Sequence, residues 1–90
     1  MATGSCAGGT LVTWTPPQPP WDESVLVFAA GVVSGCVPPC ATVVEGPGTA
    51  TSACVKQSGS YSVYALRSGF ESGDQCGSCW IGCGGKVIVP

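Results

Sequence analysis

Hydrophobic and polar positions alternate along this chain in short runs broken by glycine and proline, and no run carries a convincing helical period. Thr10-Leu11-Val12-Thr13-Trp14-Thr15 is β-branched and aromatic and predicts a strand that can place Val12 and Trp14 on one face. Val25 to Val33 is ambiguous by periodicity. Its β-branched content and the punctuating Gly31 and Gly35 favour a central strand, with a bulge at Gly31. Ala41 to Glu45 predicts a further strand ended by a Gly46-Pro47-Gly48 turn, and Thr49 to Lys56 reads as the returning arm of that hairpin. In Tyr61 to Leu66 the two-residue period puts Tyr61, Val63 and Ala65 on one face and Ser62, Tyr64 and Leu66 on the other. Lys86 to Val89 predicts a terminal strand.

Between these runs lie the connections. Residues 1–9 are small and glycine-rich and read as an arm, flexible or pinned by a partner, leaving residues 10–90 as a single β domain. Four prolines in Pro16-Pro17-Gln18-Pro19-Pro20 impose an extended segment, followed by Trp21 as an anchor and Asp22-Glu23-Ser24 as a turn. Cys36-Val37-Pro38-Pro39-Cys40 reverses the chain, Gln57 to Ser60 turns it again, and Phe70 to Gln75 leads into a cysteine cluster. About six or seven short strands result. The expected class is all-β, a small immunoglobulin-like β-sandwich or barrel. The resemblance rests on strand number and spacing alone and brings no functional residues with it.

Length sharpens this picture, because a chain of 90 residues has room for one modest core and such domains are marginal without an added staple. The seven cysteines supply candidates. Cys36, Cys40, Cys54, Cys76, Cys79 and Cys83 are the disulfide candidates, and sequence does not choose among their connectivities. An odd count leaves one over, and Cys6, isolated in the arm, is the expected odd or intermolecular thiol. The alternative is a zinc-stapled β domain in which Cys36, Cys40, Cys76 and Cys79 form a thiolate tetrahedron. Its weaker half is Cys36 to Cys40, where Pro38 and Pro39 offer the sulfurs no backbone donors. A redox reading of Cys76-Gly77-Ser78-Cys79 lacks the strand and helix context such catalysts use.

Charge then removes whole classes of function. Only 9% of residues are charged, against roughly 25% in soluble domains. The three cations, Lys56, Arg67 and Lys86, are scattered and leave a net charge of −2, so neither nucleic acid nor an anionic membrane surface is an expected partner. The longest apolar run, Val25 to Val33, is well short of the roughly 18 residues that span a bilayer as a helix. Met1-Ala2-Thr3-Gly4-Ser5-Cys6 lacks the basic start and apolar run of a secretory signal. There is no histidine, so Ser-His-Asp and Cys-His constellations are excluded, and the five carboxylates are more simply solvated charges. No catalytic residue and no cofactor is expected, zinc being the one alternative.

The interaction candidates are Pro16, Pro17, Pro19, Pro20 and Trp21, as a ligand for an aromatic groove or, more simply, a stiff connector. An uncharged surface repels neighbours weakly and suits contact with other subunits. The function expected from these features is a non-enzymatic, oligomeric structural subunit of a larger assembly: a virion decoration, cement, head or tail accessory protein, or an extracellular filament subunit. Its partners would be protein subunits of the same or a larger assembly. The alternatives are a secreted disulfide-rich binding module or effector, and a zinc-stapled adaptor.

Overall fold

The computed structural model describes residues 1–19, 21–38, 41–66 and 81–90, with the side chains of 81–84 excepted. The described chain is all-β. Its strands are β1 (Ala2–Cys6), β2 (Gly9–Thr13), β3 (Glu23–Ala29), β4 (Thr42–Gly48), β5 (Ser52–Val55), β6 (Gly59–Leu66) and β7 (Ile81–Val89). They form a three-stranded sheet in the order β1-β2-β5 and a four-stranded sheet in the order β4-β3-β6-β7, with every pairing antiparallel.

Alternation within β3 and β6 creates two separate cores. Leu26 of β3 and Tyr61 and Val63 of β6 join Val89 of β7, together with Val12 of β2, Val55 of β5 and Trp14 just beyond β2, in a cluster drawn from both sheets. Opposite side chains of the same strands, Val25, Val27, Tyr64 and Leu66, form a second cluster with Val37. The β3–β4 connection therefore covers the far face of the four-stranded sheet. This explains why β3 reads as a nearly continuous apolar run: a strand covered on both faces has no need of polar alternation.

The cover is fastened by hydroxyl groups of β6. Ser60 Oγ donates to the Gly31 carbonyl at 2.8 Å and accepts from the Val33 amide at 3.2 Å. Ser62 Oγ accepts from the Val37 amide at 2.9 Å, and the Tyr64 hydroxyl donates to the Val37 carbonyl. Lys86 on β7 adds a charge-assisted bond from Nζ to the Val33 carbonyl at 2.6 Å. Ser60 and Ser62 are fully buried, and these bonds offset the cost of enclosing their hydroxyls and the loop's backbone groups together.

Several sequence expectations are redrawn by these contacts. Residues 1–9, expected as an arm, contain β1, which pairs with β2 from Ala2↔Thr13 to Cys6↔Gly9 across an Ala7-Gly8 turn. Glu23 and Ser24 belong to β3 rather than to a turn. Ser24 is drawn in because its buried hydroxyl accepts from Trp14 Nε1 at 2.9 Å and donates to the Ala50 carbonyl at 3.2 Å. β3 ends at Ala29, before Gly31, and its register shifts lie between Ser24 and Val27 against β4. Gly46-Pro47-Gly48 falls inside β4. β4 is an edge strand with a shifted register, so a residue without an amide donor is accommodated there. Thr49 to Lys56 does not return beside β4, because β5 crosses to pair with β2, where Val55 enters the core beside Val12. The face assignments in β6 agree with the sequence reading for Tyr61 and Val63 and for Tyr64 and Leu66.

Gly59 occupies a position no other residue fits. Its φ is +152°, and a Cβ there would lie 2.5 Å from the Phe28 ring, which packs on Tyr61 at a 5.0 Å centroid distance.

Burial pushes both the Tyr61 and Tyr64 hydroxyls above their ordinary value of 10.0, the Gln57 carbonyl bond partly opposing this at Tyr61. Below pH 10 the folded and unfolded chains both keep these protons, so the tyrosines add no pH dependence there. Above it the unfolded chain releases them first and stability falls as pH rises. Tyr64→Phe is expected to reduce that alkaline slope while costing about 1 kcal/mol at neutral pH through loss of the Val37 bond. Ser62→Ala, which leaves the Val37 amide enclosed without an acceptor, is expected to cost about 1–3 kcal/mol. Urea titrations of both variants from neutral to alkaline pH check these outcomes, and a Tyr64→Phe slope equal to that of the parent would contradict the assignment.

Candidate interaction site

The three-stranded sheet is held by chemistry as well as by hydrogen bonds. Cys6, the last residue of β1, forms a disulfide with Cys54 of β5, the Cα atoms standing 6.0 Å apart, so the bridge joins the two outer strands of the sheet. Gly9 makes room for this approach, since a Cβ there would lie 2.4 Å from the Val55 carbonyl oxygen. Cys6 is therefore not the odd, intermolecular thiol expected from its isolation in sequence. The β1–β2 hairpin carries it to β5, a proximity that its neighbours in sequence do not reveal. Cys54 is a disulfide residue as expected, with a partner from outside the six candidates.

Cys36 is also disulfide-bonded, and its partner sulfur lies outside the described residues. An oxidised Cys36 has no thiolate to give a metal, which removes it from the zinc set of Cys36, Cys40, Cys76 and Cys79. Cys40, Cys76, Cys79 and the Cys83 side chain lie outside the described residues, as do Pro20, Arg67, Phe70, Glu71, Asp74 and Trp80. Among the described residues no group of three or more His, Cys, Asp or Glu is gathered where it could hold a metal ion. No helix among them is long and apolar enough to cross a membrane.

Pro16 and Pro17 line a cleft of about 250 Å³ together with Met1, Trp14, Gln18 and Ala65. The segment links β2 of one sheet to β3 of the other, which is the connector geometry. Trp21 donates its amide to the Gln18 carbonyl at 2.9 Å, closing a turn that includes Pro19, and Asp22 donates to the Leu66 carbonyl at 3.2 Å. Pro16 and Pro19 are exposed, while Pro17 and Trp21 are half-buried. The Trp14 indole, committed to Ser24, forms the wall of the cleft rather than a free recognition face. Its described lining side chains include no carboxylate, lysine or arginine, and the cleft is sized and lined to hold a small apolar group.

Two other exposed features stand out among the described residues. Val32, 78% exposed, lies in the loop that covers the second core, between Gly31 and Val33, which are both bonded to Ser60. Strand β1 forms one edge of its sheet and is exposed from Ala2 to Ser5. Sequence reasoning missed β1. The signal was present: Ala7-Gly8 between Thr3-Gly4-Ser5-Cys6 and Gly9-Thr10-Leu11-Val12 is a two-residue, glycine-bearing hairpin link.

The bridge closes a loop with a sequence separation of 48, which on chain-entropy grounds stabilises the fold by up to about 4 kcal/mol. Replacing both Cys6 and Cys54 by serine is expected to lower the denaturation midpoint accordingly, measured against the oxidised parent. Non-reducing peptide mapping of the parent is expected to recover Cys6 joined to Cys54 of the same chain, and a Cys6-linked covalent dimer would contradict the pairing. Compared with known proteins, the chain matches no protein-family model, no curated protein and no solved structure.

Proposed function

We propose that this chain is a non-enzymatic structural subunit of a larger protein assembly, such as a virion decoration, cement, head or tail accessory protein or an extracellular filament subunit. The observation that carries the reading is the surface: few charges, with the uncharged β1 edge exposed from Ala2 to Ser5 and the apolar Val32 exposed in the β3–β4 loop. Such surfaces favour contact with neighbours over free diffusion. Staples and buried polar bonds keep a small domain rigid enough to present them.

The finer fold within this reading is an immunoglobulin-like sandwich. With the strands lettered A to G in chain order, the sheets are A-B-E and D-C-F-G, against A-B-E-D and C-F-G in constant-type immunoglobulin domains. The two arrangements differ in the placement of the fourth strand. The shared cluster of Val12, Val55, Leu26 and Val63 supports face-to-face packing of the sheets.

The oxidised cysteines favour a second reading, a secreted disulfide-rich binding module, because such bonds persist in oxidising compartments. Its ligand site would be the cleft beside Pro16 and Pro17.

Density-gradient fractionation of the source material, probed with antibody against the chain, separates the two. The assembly reading expects the chain at fixed stoichiometry in large particles. Recovery only as free small protein would overturn it and leave the secreted module standing.

A further inference from the structure

Among the described residues, strand β1 is an edge without the usual protection. The other edges among the described residues are broken or guarded: β4 carries Glu45, Pro47 and register shifts, β7 carries Lys86 and register shifts, and β5 is four residues long and followed by Lys56. β1 has no charge, no proline and no bulge, and its register against β2 is unbroken over five pairs. Natural sheets seldom leave such an edge open, because its unpaired amides and carbonyls template another strand.

Both ends of β1 are also fixed in place. Met1 packs against the core shared by the two sheets, its Cγ 3.4 Å from where a Cβ on Gly85 of β7 would stand. Cys6 is held by its bridge to Cys54. An edge already ordered at both ends loses little conformational freedom when a second strand adds to it.

We infer that β1 is a docking edge for β1 of a second copy of this chain, paired antiparallel about a two-fold axis at Gly4. This proposal names a partner for the assembly reading and rests on it. The strand is self-complementary in this register. Thr3 faces Ser5 of the second copy twice, a cross-strand hydroxyl pair of the kind that stabilises sheets. Gly4 faces Gly4, where even an added Cβ would meet nothing within 4 Å in its own protomer, and Ala2 faces Cys6. No like charges oppose each other, and pairing joins two three-stranded sheets into one continuous sheet with an isologous interface.

Light scattering on the purified oxidised chain tests this across about 10 µM to about 1 mM, the range suited to a small interface. The expected mass rises from 8.9 kDa toward twice that value. In the same protein, hydrogen exchange at amides within Ala2–Cys6 is expected to slow as concentration rises. T3K/S5K and T3E/S5E, which place like charges opposite each other in this register, are each expected to stay at the protomer mass, and their equimolar mixture to regain the doubled mass. A parent that keeps the protomer mass throughout, or doubles with β1 amides unchanged, overturns the proposal without needing either variant to fold. Chain found in particles with β1 amides unprotected would remove this docking edge and keep the assembly reading. Doubling through β1 in a chain absent from particles would do the reverse.

Discussion

Strand β6 must be enclosed on both faces, and the rest of the molecule follows from how that is achieved. Its Tyr61 and Val63 meet the three-stranded sheet, while Ser60, Ser62 and Tyr64 hold the β3–β4 connection against the other side. A loop laid on a sheet brings backbone amides and carbonyls into an apolar setting, where each unpaired group would cost more than a typical contact returns. Three hydroxyls and the Lys86 ammonium meet that demand at Gly31, Val33 and Val37. Val37 can then be fully buried beneath a loop that is otherwise mostly exposed. The second core is small, and it depends on polar bonds placed at its margin.

The three-stranded sheet solves a different problem. Its share of the core comes from Val12 and Val55, with Met1 and Ala53 packed alongside, too little apolar surface to hold three short strands unaided. The Cys6–Cys54 bridge compensates by tying the two outer strands together, and the Trp14–Ser24–Ala50 bonds fasten the sheet to the start of β3. The same arrangement leaves β1 regular in register, uncharged and pinned at the surface. Stability of the fold and availability of its edge thus have one origin.

Much of this was legible in local pattern. The strands at Thr10, Val25, Ala41 and Tyr61 and the Lys86 to Val89 end of β7 follow from β-branched runs between turn residues, although β7 begins at Ile81 and runs through Gly84-Gly85. The two faces of β6 follow from a period of two. Other features were not local. Gly46-Pro47-Gly48 signals a turn by composition, yet an edge strand with a shifted register absorbs it. Ser24 looks like a turn residue until Trp14, ten positions earlier, supplies its buried partner. The cleft beside Pro16 and Pro17 exists because the connector passes between sheets, which no proline count reveals.

By itself the sequence determined the all-β class, the need for staples in a short chain, and the lack of any histidine for Ser-His-Asp or Cys-His chemistry. These are matters of residue identity and short-range spacing, which do not depend on the fold. Tertiary structure alone decided that β5 leaves β4 to pair with β2, that Cys6 finds Cys54 across 48 positions, and that β1 is an edge strand among the described residues. Each is a contact between segments distant in the chain. Such contacts are selected by which apolar faces are buried together, and one-dimensional order carries no record of that choice.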